Sequence, residues 1–118
     1  VVAFGGTRCA SICGGVVALS LAFKRMLDRG LLSENPIIEP IAAVSVGLID
    51  GEIKLDLDYS EDSHAQVDSN VVMTKSGKII EFQTTAEGEP YEFDKMVEIF
   101  NIAKKGIDEI IEKYSILE

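Results

Sequence analysis

Two spacings of apolar residues run along this chain, and each predicts its own kind of element. From about Cys9 to Arg29, Ile12, Val16, Leu19, Phe23, Met26 and Leu27 recur at helical spacing and predict a first long helix. Gly30 supplies its stop, and Asn35-Pro36 and Pro40 hold an extended connection. Ala43 to Ile49 and Ile53 to Asp58 read as strands on either side of Asp50-Gly51, a dipeptide that favours a tight hairpin turn. A second hairpin is predicted from Asn70 to Thr74, through a turn at Lys75-Ser76-Gly77, to Lys78 through Thr84. In the last helix, Phe93, Met96, Val97, Phe100, Ala103, Ile107, Ile110, Ile111 and Tyr114 form an apolar stripe that should face the sheet. Lys95, Glu98, Lys104, Lys105, Glu109 and Glu112 fall largely on the opposite, solvated side. Val1 to Phe4 is a short apolar run that suits a buried strand before the first helix. The expected fold class is α+β, with two β-hairpins forming a mixed or antiparallel sheet packed by two long helices.

Composition narrows the class. At 118 residues, 47% apolar and 26% charged, the chain is a globular single domain, residues 1–118, with one compact core. Cys9 and Cys13 lie four apart on one helix face, where they serve as small core residues. No second Cys or His pair completes a soft metal site. With no disulfide framework, a reducing compartment is the default. The longest apolar stretch, Ile12 to Phe23, is too short and too rich in Gly and Ser to span a bilayer. The opening Val-Val-Ala-Phe has no basic leader and no initiator Met, so it carries no signal-peptide pattern and reads like the middle of a protein. A net charge of −9 argues against this chain gripping nucleic acid by itself.

Two segments carry candidate chemistry. Between Leu55 and Asp68 the chain gathers Asp56, Asp58, Glu61, Asp62 and Asp68. Clustered carboxylates cost stability unless a cation, hydrogen-bond donors or water offset their charge, and a hard divalent ion such as Mg²⁺ is the usual reason to assemble them. Asp62 and Asp68 fit best, because they bracket a short excursion before the next apolar strand. The same stretch also reads as a solvated acidic loop. The second segment is Gly5-Gly6-Thr7-Arg8, a turn into the first helix with Thr7 as a candidate N-cap. Glycines let backbone N–H groups approach an anion, Thr7 adds a hydroxyl, and Arg8 adds a fork that matches phosphate oxygens. Its plainer reading is a strand-to-helix turn with a surface Arg. The spacing is neither that of a Walker loop nor that of a dinucleotide fingerprint.

In order and spacing, Gly5-Gly-Thr-Arg-Cys-Ala-Ser-Ile-Cys-Gly14, Ala42-Ala-Val-Ser-Val-Gly47 and Leu55-Asp-Leu-Asp-Tyr-Ser-Glu-Asp-Ser63 resemble the ribonuclease PH family. So do Asp68-Ser-Asn-Val-Val-Met-Thr74 and Thr85-Ala-Glu-Gly-Glu-Pro90. The resemblance covers essentially the whole chain and is to the C-terminal half of these phosphorolytic 3′ exoribonucleases. It implies half of their ribosomal protein S5 domain 2-like fold. It implies a Mg²⁺- or Mn²⁺-dependent reaction in which inorganic phosphate attacks the terminal phosphodiester of an RNA, typically a tRNA precursor 3′ end, and releases a nucleoside diphosphate. Gly6, Thr7 and Arg8 would hold the phosphate, with Gly5 supporting the turn. Asp62 and Asp68 would bind the metal or assist proton transfer. A cytoplasmic enzyme is implied, away from any membrane, and a hexameric ring when full length.

Three departures qualify the match. The family's chain is about twice as long, and its other half carries a further phosphate-contacting Arg and much of the basic RNA surface. Phe4 stands where the family usually has Asp. Cys9, Cys13 and His64 stand where it more often has Thr, Ser or Ala. His64 lies two residues past Asp62, within reach of a catalytic role, although a lone loop His is more often solvated or structural. Glu87 suits either support of the site from behind the contacting residues or, better, an anchor for the loop before the last helix, with Pro90 setting its stiffness. The rival reading, from a different class, is a non-catalytic RNA-binding or scaffold subunit of an exosome-like ring. An inactive fragment is the third.

Overall fold

The computed structural model describes residues 5–55 and 65–114. The expected strand from Val1 to Phe4, the acidic residues Asp56, Asp58, Glu61 and Asp62, and His64 lie outside the described residues. Six elements follow in the order α1 (Gly5–Asp28), β1 (Ile41–Ile49), β2 (Glu52–Leu55), β3 (Val67–Thr74), β4 (Ile79–Ala86) and α2 (Phe93–Tyr114). The four strands form one antiparallel sheet in the order β2-β1-β3-β4, so the α+β class holds and the sheet is antiparallel rather than mixed.

The β1–β2 turn has the backbone its sequence demands. Asp50 and Gly51 both adopt positive φ, 51° and 79°, as the hairpin turn that matches strand twist requires. Gly51→Ala forces a methyl-bearing residue into the left-handed region, so unfolding in urea should show a loss of roughly 1–2 kcal/mol. An unchanged midpoint would mean that this turn does not hold the hairpin.

Strand alternation sorts the sheet into two faces. Ala42, Val44, Val46 and Leu48 of β1, with Val67, Val71 and Met73 of β3, pack against Ile99, Ala103, Ile107 and Ile111 of α2. The opposite face presents Ala43 and Val72 to Cys9, Ile12 and Cys13 of α1. Cys9 is thus a core residue and Cys13 packs partly buried against the same cluster, with no disulfide between them. The stripe on α2 is rotated from the expected one. Ile99 is fully buried, while Phe93 keeps 72% of its surface exposed and Val97 40%. At about 100° per residue, Val97 falls far round the helix from Ala103, and Phe93 sits at the helix start. Phe100 tilts against Phe82 of β4 with ring centroids 5.2 Å apart.

Helix α1 departs from expectation at its start. Gly5, Gly6 and Thr7 are helical backbone, so they are the first turn of α1, and Thr7 is inside the helix instead of capping it. Gly in a helix costs only about 1 kcal/mol relative to Ala, which burial of Cys9 and packing of Ile12 and Cys13 on the sheet can outweigh. The other end follows the prediction. Gly30 N–H donates to Leu27 O and Leu31 N–H to Met26 O, the paired bonds of a Schellman cap. Residues Arg8–Asp28 are long and apolar enough to cross a membrane by length and composition, a span that counting only from Ile12 to Phe23 understates. Here the first turns of that helix are seated on the sheet.

Among the described residues β2 pairs with β1 from Val46 to Ile49. Further along β1, Cys13 meets the backbone of Ala43. Its Sγ accepts the Ala43 N–H at 3.4 Å and donates to the Ala43 carbonyl at 3.3 Å. The connection after α1 is tied to the β3–β4 turn, where Ser76 N–H donates to Glu39 Oε1 and Lys75 N–H to Pro40 O. Hydrogen bonds from Ser76 hold the Glu39 carboxyl below its ordinary value of 4.5.

Candidate active site

Arg8 leaves the end of the first turn of α1 and reaches across the sheet to β4. Its Nη1 donates to Glu81 Oε1 and its Nη2 to Glu81 Oε2, both at 2.6 Å. The Arg8 side chain keeps 44% of its surface exposed and that of Glu81 33%, so the pair sits at the solvent boundary. The hydrogen bond from Arg8 lowers the Glu81 carboxyl below its ordinary 4.5, and that bond in turn raises the Arg8 guanidinium above its ordinary value. The ion pair is therefore fully formed at neutral pH and is lost only as pH falls through the lowered carboxyl value.

Asp68 lies in β3, opposite Gly47 on one side and Thr85 on the other. Strand β3 begins at Val67 rather than Asn70, so Asp68 is held by two flanking strands and does not belong to a loop. The shift has a cause beyond the apolar pattern. Gln66 N–H donates to Leu48 O, and Glu87 N–H donates to Gln66 O, which carries the ladder past the polar residues Asp68, Ser69 and Asn70. Asp68 is half-buried, and its Oδ1 is buried. Glu87 thus anchors the loop before α2 through its backbone, as expected of it.

Arg8 and Asp68 share the α1 face of the sheet. Asn70, two residues along β3 from Asp68 and about 7 Å away on the same face, accepts the Cys9 thiol at 3.6 Å. Stepping back from Cys13 over Ala43 to Cys9 over Asn70, the helix start points toward the level of Asp68 and Gly47. The first-turn N–H groups of Gly5, Gly6 and Thr7 lie at that end, where a helix offers unsatisfied donors and the positive end of its dipole. Asp62 cannot be added to this geometry, being outside the described residues. Among the described residues no group of three or more His, Cys, Asp or Glu is arranged to hold a metal. A carboxylate such as Asp68 is a hard oxygen donor, and Mg²⁺ keeps several waters and needs one or two carboxylates, so Asp68 fits as one ligand of such an ion. Reading the sequence missed Glu81. Its signal was present in Ile79-Ile80-Glu81-Phe82, a charge inside an otherwise apolar strand run.

The result is an α+β domain in which a helix start and an aspartate lie toward one face of an antiparallel sheet. The family model for 3′ exoribonucleases, domain 2, matches residues 39–106, more than half of the chain, and the chain belongs to that family. Among individual relatives, ribonuclease PH of Neisseria gonorrhoeae (strain NCCP11945) is 53% identical over 107 residues, covering 91% of this chain and 44% of that protein. Ribonuclease PH of Neisseria meningitidis serogroup C (strain FAM18) is 53% identical over 108 residues, covering 92% of this chain and 45% of that protein. The chain spans less than half the length of the curated relatives it matches, and the part matched is their C-terminal half.

Proposed function

We propose that this domain supplies the phosphate-binding and acidic residues of a phosphorolytic 3′-to-5′ exoribonuclease that trims tRNA precursor 3′ ends. What supports the reading is that Arg8 of α1 and Asp68 of β3 lie on the same face of the sheet, with Arg8 held at Glu81, level with Val72 four residues along β3 from Asp68. Arg8, the Thr7 hydroxyl and the first-turn N–H groups bind and orient inorganic phosphate. One phosphate oxygen bonds to the terminal phosphorus of the RNA. The bond from that phosphorus to the 3′ oxygen of the preceding nucleotide breaks, its electron pair stays on that oxygen, and a proton completes the new 3′ end. The phosphate and the terminal nucleotide leave together as a nucleoside diphosphate. Asp62 and Asp68 would hold Mg²⁺ or Mn²⁺, which when bound would neutralise charge developing at the reacting phosphoryl group. Asp68 otherwise serves to hold or move the proton that the leaving oxygen takes up.

The net charge of −9 assigns most of the grip on RNA to residues beyond this chain, in the half that the longer relatives have in addition. A homo-oligomeric ring, a hexamer in the full-length protein, and a cytoplasmic location complete the proposal. The test is release of nucleoside diphosphates from an RNA with a single-stranded 3′ end, with and without phosphate, in Mg²⁺. Release should require phosphate and fall at least about 100-fold in Thr7→Ala or Arg8→Ala protein. No release would favour a non-catalytic RNA-binding or scaffold role. Release of nucleoside monophosphates without phosphate would replace phosphorolysis by hydrolysis, and diphosphate release that survives both substitutions would overturn the roles of Thr7 and Arg8.

A further inference from the structure

We infer that Glu81 is a positioning residue for phosphate: it clamps Arg8 end-on and leaves the side edge of the guanidinium as the anion-binding fork. The inference rests on the proposed reading of Arg8. It goes further by assigning a role to a residue on a different strand, 73 positions away in sequence.

The argument starts from donor count. A guanidinium has five N–H groups, and the two bonds to Glu81 use one from each Nη. Those two are the inner hydrogens at the end of the fork. The Nε–H and the outer hydrogen of the adjacent Nη remain, parallel to one another and spaced for a second bidentate partner such as a phosphate. An exposed Arg side chain otherwise samples many rotamers, and fixing one before the anion arrives removes an ordering cost from binding.

Local backbone supports the assignment. Val72 pairs with Glu81, but the next β3 residue, Met73, pairs with Ile79, so Ile80 is an extra, unpaired residue beside Glu81. A bulge bends its strand and re-aims neighbouring side chains. Here it stands directly next to the residue that meets Arg8 over the α1 face. Asn70 on β3 binds the adjacent Cys9, so the same turn of α1 is tied to two strands.

The charge of Glu81 makes the test a test of sign. If the carboxylate only neutralised Arg8, removing it would leave a bare cation and tighten phosphate binding. If it positions Arg8, removing it weakens binding. Calorimetric titration with inorganic phosphate, on the full chain, should show wild-type binding weakened roughly tenfold in Glu81→Ala. Glu81→Gln, whose amide can accept only one of the two bonds, should fall between and guards against an alanine variant that fails to fold. In the trimming assay the KM for phosphate should rise while the KM for RNA stays unchanged, a split that a merely structural tie would not produce. Unchanged or tighter phosphate binding in folded Glu81 variants overturns this inference alone. A wild-type protein that binds no phosphate overturns the reading of Arg8 and this inference with it.

Discussion

Asp68→Asn protein should lose about 10²- to 10³-fold of its phosphate-dependent trimming, with a melting temperature close to that of the wild type. The substitution preserves shape and the ability to accept hydrogen bonds, so the strand environment between Gly47 and Thr85 is kept. What disappears is the charge, and with it a hard ligand for Mg²⁺ and a group able to hold a proton. Measured at saturating phosphate and RNA, the loss should appear in kcat, because the proposed role puts the carboxylate where charge develops in the reaction. Raising Mg²⁺ should recover part of the rate if Asp68 is a ligand, and none if it only moves a proton. Trimming that persists unchanged in Asp68→Asn would remove Asp68 from the chemistry altogether.

The largest expected effect on stability lies on the other face. Ile107 is 1% exposed and belongs to the cluster that joins α2 to β1 and β3. Ile107→Ala removes three methyl or methylene groups from that cluster and should cost about 3 kcal/mol, or roughly 10 °C in melting temperature for a domain of this size. Val97→Ala, on the same helix but 40% exposed, should stay within about 0.5 kcal/mol. Thermal unfolding of the two variants side by side tests the rotated stripe. Equal losses would mean that α2 packs through the wider face that apolar spacing alone suggests.

That rotation shows where the sequence is legible. Helical spacing identified both helices, and Asp50-Gly51 identified the first hairpin, because each is dictated by local chemistry. The buried angle on α2 depends on which residues the sheet presents, and Ile99 and Gly106 enter it for tertiary reasons. A Cβ on Gly106 would stand 2.8 Å from a Leu55 methyl, a close approach that no periodicity encodes. Strand β3 was read too short because Asp68, Ser69 and Asn70 look polar, while the paired strands β1 and β4 impose extended backbone on them. Arg8 stands out as a candidate anion-binding group from its place beside two glycines. Glu81 stands out only as a charge inside an apolar strand run, and nothing there tells that its partner lies 73 residues away.

The contact between Cys13 and Ala43 assigns α1 a second duty. A strand with unsatisfied N–H and C=O groups is a template for another chain to add itself by, and proteins suppress such sites with charges, prolines, bulges or covers. Here the N–H and C=O of Ala43 meet one thiol on the helix whose first turn also carries the candidate anion-binding residues. Seating that helix therefore satisfies strand backbone groups and sets the candidate residues in a single event. A lesion that lifts it would release both at once.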